Sequence, residues 1–103
     1  MKKILLVCSE GMSTSFITMK MNDIAKEKNV DVFVYAKSES MIEDELSQAD
    51  CILLGPQISY LEQKIKERVN GKVPVESISV LDFGRMNALA ILKQAIRLLK
   101  EHQ

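Results

Sequence analysis

Residues 8–15 form the one short stretch of the chain whose residue types suit phosphate or thiol chemistry. The stretch consists of Cys8, Ser9, Glu10, Gly11, Met12, Ser13, Thr14 and Ser15. It follows the apolar run at residues 4–7 and precedes a segment with helical periodicity, so it is predicted to connect a strand to the start of a helix. A thiol is the first residue of this connection.

A helix N-terminus can hold an anion, because its first backbone N–H groups lack partners within the helix and carry a partial positive charge. Such surroundings also favour the thiolate form of a cysteine, which is the nucleophilic form. Gly11 allows a backbone conformation closed to other residues, and the serine and threonine hydroxyls can donate to phosphate oxygens. The stretch is therefore predicted to be a phosphate cradle with Cys8 as its nucleophile.

A purely structural role is the alternative for the same residues. Cysteine is often buried as a small apolar side chain, so Cys8 could simply end a core strand. Ser13 or Thr14 could be an ordinary helix cap. The spacing alone does not separate the two interpretations.

Length and composition limit the classes of function. The 103 residues, 47% of them apolar, are enough for one domain covering residues 1–103. Lys plus Arg and Asp plus Glu both number 14, so the basic excess typical of nucleic-acid binding is missing. Apolar runs reach about five residues, whereas a membrane span needs about 20. No signal peptide pattern follows Met1, and a cytoplasmic protein is expected.

Neither the second cysteine nor the histidine indicates a metal or a cofactor. Cys51 lies in an apolar run and is expected in the core. His102 is the one histidine, two positions before Gln103, so soft metal ligands are too few for a cluster. We expect no metal, no cofactor and no structural disulfide.

Apolar patterns alternate between strand and helix four times. Strands are predicted at residues 4–7, 30–36, 50–55 and 75–80, with a loop at 82–84. Helices are predicted from about residue 15 to Asn29, around 41–48, over 58–70 and over 87–100. The alternation predicts an α/β fold, an open parallel sheet with helices on both faces.

Ligands of such sheets bind beyond the carboxyl ends of the strands, where the winding reverses. The apolar first strand is expected to be central, which places the reversal between strands one and three. Two loops face that position, residues 8–15 and 55–60. Both contain the residues with unusual chemistry.

Two motifs resemble a known family. Cys8-Ser9-x-Gly11-Met12-Ser13-Thr14-Ser15 with Lys20-Met21, and Leu53-Leu54-Gly55-Pro56-Gln57-Ile58-x-Tyr60, are similar to the IIB component of the bacterial sugar phosphotransferase system, lactose/cellobiose family. Within that family the likeness is greatest to the cellobiose and chitobiose branch. It extends over essentially the whole chain.

The resemblance implies a fold, an activity and partners. The fold would be that of low-molecular-weight tyrosine phosphatases, a single-domain sheet of four parallel strands in the order 2-1-3-4. Cys8 would accept a phosphoryl group from a phosphohistidine of the IIA partner. It would pass the group to a β-glucoside such as cellobiose or chitobiose, bound by the membrane-embedded IIC partner. The chain would lie at the inner face of the membrane through IIC, as a monomer when alone and without inserting into the membrane itself.

The resemblance also assigns site residues. Ser9, Glu10, Gly11, Met12, Ser13, Thr14 and Ser15 would form the phosphate cradle around Cys8. Gly55, Pro56, Gln57 and Tyr60 would form a second wall. Met12, Phe16 and Ile58 would offer apolar contacts to the partners. Glu10 departs from the small residue usual in relatives and is expected to point outward, and residues 83–88 depart from the family pattern as well.

Three alternatives remain beside the phosphocarrier. A cysteine phosphatase needs an arginine six residues after the nucleophile, and that position holds Thr14. A thiol reductase needs a resolving cysteine nearby, whereas Cys51 opens its strand and should lie at the far end of the sheet. A regulatory module without phosphoryl transfer is not separable from a carrier by sequence.

Overall fold

The computed structural model describes residues 1–9 and 12–102, with the side chains of Met12, Ser13 and Met41 excepted. Its strands are β1 (Lys2–Cys8), β2 (Val32–Ser38), β3 (Cys51–Leu54) and β4 (Val75–Ser77). Its α-helices are α1 (Met12–Glu27), α2 (Glu62–Val69), α3 (Val80–Gly84) and α4 (Ala88–Glu101). Short 3₁₀ segments occupy Glu39–Met41 and Pro56–Leu61. None of the helices in these described ranges is long and apolar enough to cross a membrane.

The four strands form one sheet in the order β2-β1-β3-β4, and every neighbouring pair is parallel. The predicted order is confirmed. β1 lies in the interior of the sheet, and its last five residues are all buried. A strand covered on both faces needs apolar side chains in both directions, which explains the uninterrupted run in the sequence.

Helices cover both faces of the sheet, as predicted. Ile4 and Leu6 of β1 pack with α1 and α4 in one apolar cluster. Leu5 and Val7 point the other way and pack with α2 and the segment around residues 42–49. The alternation along β1 therefore divides the core into two layers.

Four predicted elements differ from the structure, of which β2 runs over Val32–Ser38 instead of residues 30–36. No regular helix forms around 41–48, where the 3₁₀ turn at Glu39–Met41 is followed by turns. Ile42 and Leu46 are nevertheless buried, so their spacing of four indicated burial rather than a helix. β4 ends at Ser77, because its partner β3 offers only four residues. A short helix, α3, follows instead of a loop, and the Ser79 hydroxyl caps it by accepting from the Asp82 N–H at 3.0 Å.

The predicted helix ends are confirmed in two places. Asn29 and Asn70 adopt left-handed conformations with φ of 57° and 53°, which stop α1 and α2. The last helix begins after Asn87, whose side-chain oxygen accepts from the Ala90 N–H at 3.2 Å.

Asn22 of α1 seals one outer edge of the sheet. Its side-chain amide donates to the Val34 carbonyl and its oxygen accepts from the Val34 N–H, both at 2.9 Å. Val34 belongs to β2, which has no strand on its outer side. The Asn22 side chain thus takes the place of one residue of a missing neighbouring strand.

Side chains of two helices seal the opposite edge at Ser77. Glu62 accepts from the Ser77 N–H at 2.9 Å and from its hydroxyl at 2.7 Å. Gln94 donates to the Ser77 carbonyl at 3.0 Å. Exposed strand edges promote pairing between chains, and these contacts occupy the outward backbone groups of Ser77.

The Glu62 carboxylate also makes the stability of this edge depend on pH. Burial alone would raise the pKa of Glu62, but hydrogen bonds from Ser77 and the nearby Lys66 ammonium outweigh it and lower this pKa below its usual value of 4.5. A carboxyl with a lowered pKa stabilises the fold above its unfolded-state pKa and loses that effect as the pH falls through the folded-state pKa.

We therefore predict that Glu62→Gln lowers the free energy of unfolding at pH 7, and that the gap to the wild type shrinks as the pH falls below 4.5. Urea unfolding at a series of pH values measures the gap. Glu67→Gln, on the exposed side of the same helix, is the control and should show no such trend. A gap that stays constant into acid contradicts the role of the carboxylate.

For the edge at Val34 we predict that Asn22→Ala destabilises the protein by about 2 kcal/mol, because the backbone N–H and carbonyl of this buried strand residue lose their partner. Asp23→Ala is the matched control, since it is exposed on the same helix and also replaces a weak helix former by alanine. Equilibrium unfolding in urea compares the two. Equal free energies of unfolding for the two variants would show that the Asn22 bonds to the Val34 backbone do not stabilise the protein.

Candidate functional site

Cys8 is the last residue of β1 and lies at the carboxyl edge of the sheet. It shares a sheet face with Ile4 and Leu6, because alternate residues of a strand point the same way. That face is the one covered by α1 and α4. The residue is only 2% exposed and is one of the buried residues of the chain. Cys8 is therefore covered, at the carboxyl edge of the sheet.

The N-terminus of α1 lies four positions after Cys8. The helix begins at Met12, and its first turn contains no acidic residue that would neutralise the positive end of the helix dipole. Thr14 is buried, whereas Ser9 and Ser15 are exposed. Of the predicted cradle, Glu10 and Gly11 lie outside the described residues.

Further along α1, Phe16 is half-exposed, and the Lys20 ammonium lies 5.4 Å from the centre of its ring. The aromatic side chain therefore has one face covered by a cation. The other described side chain of the predicted partner surface, Ile58, is 1% exposed and packs in the core, so an apolar contact surface at Ile58 is wrong.

The segment after β3 lies directly beside Cys8. The Gly55 N–H donates to the Val7 carbonyl at 2.8 Å. A Cβ placed on Gly55 would lie 3.7 Å from the Cys8 Cβ and 3.0 Å from the Gln57 side-chain oxygen. The structure thus brings Gly55 to Cys8 and places the Gln57 side-chain oxygen on Gly55.

The other two residues of the predicted second wall lie further out. Pro56 opens the 3₁₀ segment and is partly buried, and Tyr60 is 73% exposed. Of the four predicted wall residues, Gly55 is thus the one that the structure places next to Cys8, and Gln57 lies beside Gly55.

Ser38 is a neighbour of Cys8 that the sequence reasoning missed. The parallel register pairs Ser38 with Cys8, and its hydroxyl lies 3.1 Å from that of Ser40. The sequence analysis assigned neither residue to the site. No sequence signal identified Ser38, because the strands predicted at residues 4–7 and 30–36 both end before the Cys8–Ser38 pair.

Cys51 lies at the opposite end of the sheet. It pairs with Ile4, so Cys8 is four positions further along, about 13 Å away at the rise of a strand. Bridged cysteines have their Cα atoms within about 7 Å. Burial, with smaller effects of Glu76 and Asp50, raises the pKa of the Cys51 thiol to about 12. Cys51 is therefore a core residue and does not serve as a resolving thiol for Cys8 in this fold.

The chain is similar over nearly its full length to proteins of one family. A family model described as "PTS system, Lactose/Cellobiose specific IIB subunit" matches residues 3–94. The oligo-beta-mannoside-specific EIIB component of Bacillus subtilis (strain 168) is 34% identical over 100 residues, 96% of this chain and 97% of that protein. The galactose-specific EIIB component of Lactococcus lactis subsp. cremoris (strain MG1363) is 33% identical over 95% of this chain and 96% of that protein. The cellobiose-specific EIIB component of Lactococcus lactis subsp. lactis (strain IL1403) is 32% identical over 95% of this chain and 96% of that protein.

Solved structures agree with this likeness. The solution structure of a cellobiose-specific phosphotransferase IIB component protein from Borrelia burgdorferi matches with a TM-score of 0.80 and 32% identity, covering 99% of this chain and 94% of that chain. The lactose-specific IIB domain from Streptococcus pneumoniae matches in fold, with a TM-score of 0.77 at 17% identity over 91% of this chain and 96% of that chain. The family predicted from the two loop motifs is confirmed, and the chain belongs to the lactose/cellobiose-specific IIB family of phosphotransferase system components.

Proposed function

We propose that this IIB component is a phosphocarrier in which Cys8 carries the phosphoryl group between a IIA partner and a sugar held by a membrane IIC partner. The observation that carries the proposal is the position of Cys8. It ends the central strand, lies four positions before the start of a 16-residue helix, and shares the sheet face that this helix covers.

Two displacements at phosphorus make up the proposed cycle. First, the Cys8 thiolate attacks the phosphorus of a phosphohistidine, an S–P bond forms, and the N–P bond breaks with its electron pair left on the imidazole nitrogen. Second, a sugar hydroxyl attacks the same phosphorus, an O–P bond forms, and the S–P bond breaks to regenerate the thiolate. The hydroxyl proton passes to a base of the sugar-binding partner. Atoms and electrons balance without a cofactor.

The cradle suits a carrier better than a phosphatase. Backbone N–H groups at the start of α1 can hold the phosphoryl oxygens. The position six residues after Cys8 holds Thr14, so the arginine clamp with which a cysteine phosphatase stabilises its transition state is replaced by a hydroxyl. A thiophosphate in such a site persists until its acceptor arrives.

Burial of Cys8 favours transfer that depends on a partner. A sulfur on a residue that is 2% exposed is shielded from bulk water and from small electrophiles. Docking of the donor must therefore displace part of the cover before the sulfur can attack. This order of events limits wasteful loss of the phosphoryl group to water.

The proposed setting is the inner face of the cell membrane, where the chain meets IIC without spanning the bilayer. It acts as a monomer, an inference supported by the sealed edges at Val34 and Ser77. The sugar is a β-linked glycoside. Relatives at 34% and 32% identity are named for oligo-beta-mannoside and cellobiose, and a third, at 33%, is named for galactose.

We predict that incubation with phosphoenolpyruvate, the general phosphotransferase proteins and the cognate IIA adds one phosphoryl group to Cys8. Intact-mass and peptide mass spectrometry locate the group. Cys8→Ser should abolish the adduct, and Cys51→Ser, the matched control, should retain it because Cys51 lies at the other end of the sheet. A wild-type chain that stays unmodified would favour a regulatory module, and an adduct on Cys51 would overturn the assignment.

We further predict that Gly55→Ala slows phosphoryl transfer about tenfold while the protein stays folded, because a small displacement of a positioning group is costly for transfer. Gly55 has φ of −60°, which alanine tolerates, but the new Cβ would meet the Gln57 oxygen at 3.0 Å and push it aside. Gly84→Ala is the control, since no atom lies within 4 Å of its added Cβ. Rapid-quench measurement of phosphoryl transfer from phosphorylated IIA gives the rate for each variant. Equal rates for Gly55→Ala and Gly84→Ala contradict a role of Gly55 in transfer.

A further inference from the structure

A pair of serine hydroxyls lies beside Cys8 and outside the loop at residues 8–15. Ser38 ends β2 and pairs with Cys8 in the parallel register. Its hydroxyl lies 3.1 Å from that of Ser40, and either oxygen can be the donor. Ser38 stands directly before the 3₁₀ turn at Glu39–Met41, yet its side chain caps no N–H of that turn. The Ser38 hydroxyl is therefore directed at another hydroxyl rather than at the backbone of the turn.

The two strand neighbours of Cys8 differ in what they present to its side chain. Residues paired in a parallel sheet point to the same face, so the side chains of Ser38 and Cys8 share one face. On the other side of β1 lies Gly55, which has no side chain, and a Cβ placed on it would lie 3.7 Å from the Cys8 Cβ. Ser38 is thus the side chain that a neighbouring strand places next to the thiol.

The start of α1 lies near Ser38 as well as near Cys8. Asn22 fixes the helix along β2, because its side chain bonds both backbone groups of Val34. From Val34 to Ser38 the strand advances about 13 Å toward the carboxyl edge. From Asn22 back to Met12 the helix extends about 15 Å in the same direction. The thiol, the serine pair and the first turn of α1 therefore meet at one place.

We propose that the Ser38 hydroxyl donates to a phosphoryl oxygen carried by Cys8, and that Ser40 orients it by donating to the Ser38 oxygen. This inference rests on the proposed function of Cys8 and adds the end of β2 to a site otherwise built from the loop after β1. The S–P bond forms and breaks as in the proposed cycle, and both serine protons stay on their oxygens. Ser40 is a positioning residue, because it acts through Ser38.

The spacing of the strands suits this contact. Neighbouring strands lie about 4.8 Å apart. In the proposed cycle the phosphoryl group extends from the Cys8 sulfur toward the start of α1, beyond the carboxyl edge of the sheet. The bond to Ser40 turns the Ser38 hydroxyl the same way, because Ser40 follows in the turn after β2. A hydrogen bond of about 2.7 Å between hydroxyl and phosphoryl oxygen closes the remaining gap.

The link between the two hydroxyls strengthens the proposed contact. Ser38 is partly buried, whereas Ser40 is exposed and can exchange its other hydrogen bonds with water. A hydroxyl that accepts one hydrogen bond donates a stronger one. A hydrogen bond to a charged group is strong enough to shift the equilibrium between IIA phosphohistidine and Cys8 phosphocysteine about tenfold toward Cys8.

The test uses Ser38→Ala, Ser40→Ala and the double variant. Ser47→Ala is the matched control, because Ser47 is an exposed serine that precedes β3 and lies toward the amino end of the sheet. Each protein is equilibrated with phosphorylated cognate IIA, and mass spectrometry gives the phosphorylated fraction of the variant and of IIA. Thermal unfolding establishes that each variant is folded.

Ser38→Ala should shift the equilibrium about tenfold toward IIA. Ser40→Ala should shift it about threefold, because Ser38 keeps its own proton to donate. The double variant should match Ser38→Ala, since Ser40 has nothing to orient once the Ser38 hydroxyl is gone. Ser47→Ala should keep the wild-type equilibrium.

Three results would overturn the inference. An equilibrium unchanged in Ser38→Ala shows that its hydroxyl does not contact the phosphoryl group. A double variant shifted further than Ser38→Ala shows that Ser40 does not act through Ser38. If Ser38→Ala fails to fold, Ser40→Ala decides, and an unchanged equilibrium there contradicts the role of the pair. Failure of the wild type to accept a phosphoryl group is a different result, and it contradicts the proposed function instead.

Discussion

Burial of β1 on both faces is the constraint on which the rest of the structure depends. Since this strand pairs with β2 on one side and β3 on the other, its end can lie only at the reversal of the winding. The right-handed connection from Cys8 to α1 then places a helix N-terminus over that end. The apolar run before Cys8 thus positions the thiol as much as the polar loop after it does.

A sheet of four strands has two edges, and both are closed by helix side chains rather than by further strands. Asn22 seals Val34, and Glu62 with Gln94 seals Ser77. A small domain that meets other proteins gains from this arrangement, because the outward backbone groups of Val34 and Ser77 cannot pair with other chains. Helix side chains thus close the two outer strands of the sheet, whereas the carboxyl edge at Cys8 is the part that meets other proteins.

The sequence predicted the elements whose burial pattern has one explanation. Runs apolar in every position, as at residues 4–7, correspond to interior strands, and asparagine stops marked the ends of α1 and α2. Predictions were wrong where a pattern has several explanations. Ile42 and Leu46 are buried without a regular helix, and Ile58 faces the core because a proline-initiated 3₁₀ segment orients it. The nearness of Ser38 and Gly55 to Cys8 depends on register and on a missing Cβ, which local patterns do not contain.

The proposed phosphoryl cycle depends most directly on the atom that carries phosphorus, and phosphorus NMR of the protein phosphorylated by its IIA partner identifies that atom. We predict one resonance of a thiophosphate monoester, with three-bond coupling to the β-protons of Cys8. A resonance of a phosphoramidate on His102, or no protein-bound phosphorus under conditions in which IIA is phosphorylated, would contradict it.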